Sequence, residues 1–476
     1  MYQAITLIIS ALIVVLCWLL FRRSKESFSL LLKILVVAFC ALGLFRCFLA
    51  DSFIYVINGG VFDGVRYETT DVLQSVLRWG YFTTYAVLPI AIFFDESRLF
   101  KNLASYFCLP FAILSIVFFD DFTAYFLVDT LHGIDLEPWL RSALFSLELI
   151  LATALPILMQ IKDKHVFNVK DGGEWLRFLI SIPLILVLMM PVYIPQSLVG
   201  LNYNEPKPFT AWHWIWLGVT VVGIMACYYI FRFKNKEQRY MLCLFLALAL
   251  FYHYHTMYLM GITLDRMPFQ LCNAAVYLLL FALIFKMGKF FHFCFIVNIV
   301  GTLIAMFLTN ISSGVTAFWS THYLYQHSLI LAVPALTMGL RIFPRLEKKS
   351  LLYAWLGFTV YFLIVFVAGT VLNGYADETG TTVNYFYMFD LKTAFEYVPY
   401  VTFTKYVHFT FGRFEVYPLL ILIVYFAYLA LCLAFYFVVK LLYKIEDDHL
   451  QLRLSSIDLY EKISGKVSKR PKEFID

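Results

Sequence analysis

Charge is scarce in this chain. Only 14% of its 476 residues are Asp, Glu, Lys or Arg, against about 25% in a soluble domain. Too few ionised side chains exist to cover a water-facing surface, which excludes a soluble globular protein. The net charge of +5 lacks the basic excess that holds a nucleic acid, so no nucleic-acid partner is expected. Polar low-complexity sequence is missing as well: 49 Phe, 32 Tyr and 9 Trp carry too much apolar surface for disorder. The nine cysteines (Cys17, Cys40, Cys47, Cys108, Cys227, Cys243, Cys272, Cys294 and Cys432) lie inside or at the edge of apolar runs. None falls in a loop expected outside, which argues against a disulfide framework. The first apolar run is followed by Arg22, Arg23 and Lys25 and then by a second run, the pattern of an anchor and not of a cleaved leader.

What the chain has instead is apolar length, with 62% of its residues apolar. A helix needs about 20 such residues to cross the hydrocarbon core. Stretches that qualify lie at roughly 4–21, 28–50, 76–94, 103–119, 139–160, 175–199, 211–231, 240–262, 268–286, 290–309, 321–340, 351–372 and 416–440, about thirteen in all. They are unbroken runs, not alternating ten-residue strands, so the expected fold is all-α: a polytopic transmembrane helical bundle, not a barrel. Lys and Arg set the expected orientation. With the N-terminus outside, Arg22, Arg23, Arg98, Lys101, Lys162, Lys164, Arg232, Lys234, Lys236, Lys286, Lys289, Arg341, Arg345, Lys348 and Lys349 fall in cytoplasmic segments, while Asp51, Asp63, Glu68, Asp71, Asp129, Asp135 and Glu137 fall outside. The C-terminus is then cytoplasmic. The expected location is a membrane crossed many times, the plasma membrane in a bacterial cell.

A polar stretch with two prolines, LNYNEPKPFT near residues 200–210, separates six spans from seven. The expected domains are an accessory six-span unit over 1–204, a seven-span unit over 205–445 with an outer loop at 373–415, and a charged cytoplasmic tail at 446–476. A long outer loop in a compact membrane protein often covers a site. A faint repeat pairs LELILATALPIL at 147–158 with HSLILAVPALT at 327–337. As a true repeat, the first half would support, bind or gate without doing chemistry, because it lacks partners for His327 and Cys272. Chance likeness between Leu-rich spans accounts for the match equally well.

Polar groups inside a bilayer are costly and each needs a reason. In the second half they gather at one expected depth, toward the outer side: His213, His253, His255, Gln270, Cys272, Asn273, Asn310, His322 and His327. His253 and His255 face different ways on a helix, so only one joins the set easily. Pro268 suits the first turn of a helix, which puts Cys272 about one turn in, where the helix dipole favours thiolate. Apolar burial opposes this, and a neighbouring imidazole decides the balance by accepting the proton. His327 is expected at a compatible depth. The structural alternative is that Cys272 is a small packing residue and that the histidines are hydrogen-bonded core groups. The His/Cys spacing fits no zinc motif, so neither metal nor cofactor is expected. Glu148, mid-span in the first half, is a functional candidate by default. Asn310-Ile311-Ser312 is a glycosylation sequon.

Several stretches resemble one family. MPFQLCNAAVYLLLFALIF resembles the LP-x-x-LCN helix of the YwaF-like bacterial integral membrane proteins, with Met267 in place of the leucine. FTAWHWIWLGV, carrying His213, resembles that family's first span, and YLYQHSLILAVPAL resembles its His-then-Pro span. Asn373, then Asn384-Tyr385, then Tyr417-Pro418 resemble its end. The likeness covers about residues 208–440; the loop after Asn384-Tyr385 is long, and the first 200 residues are extra. An animal relative of that family, transmembrane protein 164, is a phospholipid acyltransferase that depends on a cysteine and a histidine. The resemblance implies Cys272 for the first role and His327 for the second.

The expected function is therefore acyl transfer on membrane lipids through a Cys272 thioester, with His327 as general base. His213, His255, Gln270, Asn273, Asn384 and Tyr385 are the candidates for orienting the imidazole or the lipid, and Gln270 and Asn273 also for oxyanion donors. The rivals are a lipid or small-molecule transporter or flippase, a non-catalytic membrane scaffold, and a polyprenyl-phosphate-dependent glycosyltransferase using Asp51 and Asp71. The lipid donor, the acceptor and the oligomeric state are left open.

Overall fold

The apolar runs fold as helices. The computed structural model describes residues 2–48, 72–124, 138–164, 167–191, 207–255, 267–308, 314–376, 383–389, 399–411 and 414–464, with Pro195, Val199 and Gly200. Among the described residues, nine helices are long and apolar enough to cross a membrane: Tyr2–Arg23, Lys25–Phe45, Val72–Phe93, Arg98–Val117, Ser142–Asp163, Ala211–Phe231, Gly288–Phe307, Lys348–Gly374 and Pro418–Asp448. The protein is a multi-pass helical membrane protein. Four of the expected runs are helical but fall short of that standard. Gly172–Leu188 and Leu271–Ile284 have 17 and 14 residues. Lys236–His255 begins with charge and ends in two histidines. Phe318–Gly339 is diluted by Ser320, Thr321, His322, Gln326 and His327. The expected acids Asp51, Asp63, Glu68, Asp71, Asp129, Asp135 and Glu137, together with the sequon Asn310, lie outside the described residues.

The chain divides into two units, Met1–His213 with Phe245–Thr263 and Asn310–Gln326, and Trp214–Leu244 with Leu264–Thr309 and His327–Asp476. In the first, Pro138–Asp163 packs against Tyr2–Arg23, Lys25–Phe48, Thr84–Phe93 and Leu109–Val117. Pro110 has no N–H to give to the preceding turn. Just ahead of it the helix widens into a π turn, Ala104–Cys108, the usual form of such a local defect. Gly43 is required where Lys25–Phe48 meets Tyr85: a Cβ there would lie 2.3 Å from Tyr85 Cε1.

One end of this unit is held by ions. Arg98 donates to both oxygens of Glu174 at 2.9 and 2.6 Å, and Asn102 Nδ2 donates to Oε1 at 2.7 Å. Lys101 pairs with Asp163 at 2.7 Å. The Arg98 hydrogen bonds, helped by Asn102, hold the Glu174 carboxyl down to about 2. A depressed carboxyl stabilises the fold above its unfolded pKa, and the contribution disappears as pH falls through the folded value. The stability gap between wild type and Glu174→Gln is therefore expected in full above about pH 4.5 and to close toward pH 2. Thermal unfolding of both forms across that range checks it, and a gap independent of pH would contradict it.

In the second unit, Gly288–Phe307 packs against Leu271–Ile284, Lys348–Ala376 and Pro418–Ser464. Phe358 stacks on Tyr425 and Tyr428, with ring centroids 5.6 and 4.9 Å apart. A short antiparallel pair, Phe409–Phe411 with Phe414–Val416, matches Phe409 to Val416 and Phe411 to Phe414, and leads into the last helix.

Candidate functional site

The candidate site is built on the start of Leu271–Ile284. Gln270 takes an extended conformation (φ −69°, ψ 143°), so the helix begins only at Leu271. Pro268 consequently lies in the turn ahead of the helix and not in its first turn. Cys272 is the second helical residue, closer to the end than its expected place one turn in. The Ala274 N–H closes the first turn on Gln270 O at 2.8 Å. At the other end Lys286 adopts φ 52°, and Met287 N donates to Ala282 O at 2.9 Å. This closure terminates the helix, as left-handed caps do.

Cys272 is half-buried. Its thiol donates to Asn273 Oδ1 at 3.6 Å, while Asn273 Nδ2 donates to Met267 O at 3.3 Å. Tyr361 donates to Phe269 O at 2.7 Å. Tyr428 donates to Val297 O at 2.8 Å. The helix start rests on Gly301, where a Cβ would lie 2.6 Å from Leu271 Cδ2 and 2.7 Å from Tyr428 Oη.

A strap of irregular backbone, residues 383–389, joins this helix start. Gln270 Nε2 donates to Asn384 O at 3.3 Å, and Phe386 N donates to Gln270 Oε1 at 3.4 Å. Asn384 Oδ1 accepts from Phe389 N at 3.1 Å. Asn373 holds Val383 twice, donating to its carbonyl at 3.0 Å and accepting from its N–H at 2.7 Å. The Tyr385 ring meets Phe269 at 5.6 Å.

Residues 208–436 match the model of the TMEM164 family. No curated protein and no solved structure matches the chain. The TMEM164 match takes in Cys272, His327, Gln270, Asn273, Asn384 and Tyr385, and the first 207 residues lie outside it.

Of the residues singled out from sequence, Gln270, Cys272, Asn273, Asn384 and Tyr385 come together around this TMEM164-like helix start. His327 belongs to the same unit and is buried in Phe318–Gly339; the thiol of Cys272 is turned to Asn273. His213 and His255 belong to the first unit, each tied to nearby main chain. His213 Nδ1 accepts from Phe209 N at 2.9 Å, and His255 Nδ1 lies 2.6 Å from Phe251 O. His253 stacks there on Tyr325 and His322, with centroids 4.7 and 5.8 Å apart. Sequence reasoning missed Tyr361 and Tyr428, which are single aromatics in apolar runs and carry no local signal. It also missed Tyr85, which donates to Glu148 at 2.6 Å. Among the described residues no group of three or more His, Cys, Asp or Glu side chains could hold a metal.

Proposed function

We propose that the protein transfers acyl groups between membrane lipids through Cys272. The observation that carries this reading is the match of residues 208–436 to the TMEM164 family, taken with a part-buried thiol at a helix start. The resemblance to transmembrane protein 164 and to the YwaF-like bacterial proteins supplies the chemistry, and the roles of Cys272 and His327 follow from it. The domain division, with residues 1–204 as an accessory unit, belongs to the same proposal, as do the thirteen spans and the outward N-terminus.

Helix length supports a lipid substrate. Fourteen residues rise about 21 Å, short of the roughly 30 Å hydrocarbon core. With the Lys286 end at the interface, Cys272 stands at the depth of acyl chains and not of water. In the proposed reaction the thiol leaves Asn273 Oδ1 and gives its proton to His327. The thiolate then attacks the ester carbonyl of a glycerolipid. A C–S bond forms, the ester C–O bond breaks, and the imidazolium protonates the leaving alcohol. An acceptor hydroxyl next gives its proton to His327 and attacks the thioester. The C–S bond breaks, and the thiolate recovers its proton. Main-chain N–H groups of Cys272 and Asn273, which lie beside the sulfur, are the oxyanion donors in this scheme.

Purified protein incubated with a phospholipid labelled in one acyl chain should yield a lysolipid and a newly acylated acceptor. Cys272→Ala and His327→Ala should not. Equal transfer by all three would end the proposal. A transporter is the second reading, favoured by Glu148, which is 1% exposed within Pro138–Asp163 and accepts from Tyr85. That reading expects uptake into liposomes to survive Cys272→Ala and to fail in Glu148→Gln.

A further inference from the structure

We infer that residues 383–389 are a fixed roof over Cys272, pinned by Gln270 and Asn373, and that Gln270 is a positioning residue for this roof and not a donor to the reacting acyl group. Buried irregular backbone persists only where its polar groups find partners. Here amide side chains supply them. Both ends of Gln270 are used on Asn384 O and Phe386 N, both ends of Asn373 on Val383, and Asn384 Oδ1 on Phe389 N. Asn373 stands on Lys348–Ala376, and Gln270 heads the Cys272 helix, so two separate elements grip one strap.

The apolar side of the strap is anchored as firmly. Phe386 sits at φ 55°, ψ 21°, a costly conformation for a bulky residue. It is retained because the ring is buried among Phe358, Tyr361, Phe362 and Tyr428. Two of those four also meet the start of the Cys272 helix: Tyr361 donates to Phe269 O, and the Tyr428 hydroxyl and Leu271 close on the same point at Gly301. The strap and the helix start thus share one aromatic wall. At the far end the Phe389 ring stacks on Phe366 of Lys348–Ala376, with centroids 6.3 Å apart, so the segment is a structural roof, not a lid that opens on each turnover.

The consequence for chemistry rests on the thioester reading. A thioester exposed to water hydrolyses, and excluding water diverts it to the acceptor. The roof should therefore set how acyl groups divide between lipid acceptor and water. Loss of the Gln270 bonds, each a modest net contribution, should open the roof without changing the nucleophile.

The test uses the full chain in lipid nanodiscs. Modification of Cys272 by a charged, water-soluble maleimide is followed by peptide mass mapping. Gln270→Leu and Asn373→Leu should react about tenfold faster than wild type, the scale of one or two lost hydrogen bonds. Gln270→Glu, which keeps the acceptor for Phe386 N, should show a smaller rise. In the acyl assay, Gln270→Leu should raise the share of product released as free fatty acid relative to acylated lipid. Should the variants fold poorly, hydrogen exchange in wild type decides: the amides of Phe386 and Phe389 should exchange as slowly as those inside Leu271–Ile284. Equal maleimide rates in all forms, or rapid exchange at Phe386 and Phe389, would overturn the roof. Faster labelling with no acyl product from any form would uphold the roof and sink the acyl-transfer reading instead. Acyl transfer with an unchanged ratio of lipid to fatty acid product would overturn the assigned role of Gln270.

Discussion

Cys272→Ala and His327→Ala should each lower acyl transfer by a factor on the order of 10³ or more, and the double variant should be no worse than either alone. Groups that act as a unit give strongly non-additive losses: without the thiol there is nothing for the imidazole to deprotonate, and without the imidazole the thiol stays protonated. The structure adds a reason for the size of the histidine effect. The thiol is already engaged by Asn273 Oδ1, a neutral acceptor that holds the proton on sulfur and takes none. Asn273→Ala should therefore leave the thiol freer and cost far less than His327→Ala. Initial rates of the four forms check this, and losses that multiply in the double variant would mean that Cys272 and His327 act separately.

Gly301→Val should destabilise the second unit by about 1–3 kcal/mol and disturb the site from below. The space at Gly301 is taken by the Leu271 side chain and the Tyr428 hydroxyl. Leu271 can swing its tip. Tyr428 cannot retreat, since its hydroxyl is committed to Val297 O and its ring to Phe358 and Phe386. The Gly288–Phe307 helix must draw back from Tyr428 instead, which disturbs its packing on the Cys272 helix. Thermal unfolding in detergent should show a lower midpoint, and transfer should fall in the protein that remains folded. Gly301→Ala should show the same effects at smaller size. A valine variant as stable and active as wild type would mean that the contact does not constrain the site.

The membrane class was legible because it rests on composition and run length, which need no tertiary information. The start of the Cys272 helix was nearly legible: Pro268 marked it, but the extended backbone of Gln270 moved it on by several residues. The partners of Gln270 were not legible. They lie 114 and 116 residues further along the chain, and an amide in an apolar run looks the same whether it faces substrate or grips backbone. Glu148 announced itself by the cost of burying a carboxyl, whereas its partner Tyr85, 63 residues away, did not. The common depth expected of the histidines also concealed a division. His213, His253, His255 and His322 belong to one unit and His327 to the other.

Trapping the acyl-enzyme tests the account most directly. The full chain is mixed with a phospholipid bearing one labelled acyl chain, quenched in acid and digested, and the peptide containing Cys272 is weighed. One acyl group attached to that peptide and released by neutral hydroxylamine is the predicted result. Transfer of label to the acceptor lipid with Cys272 unmodified at every time point would contradict it.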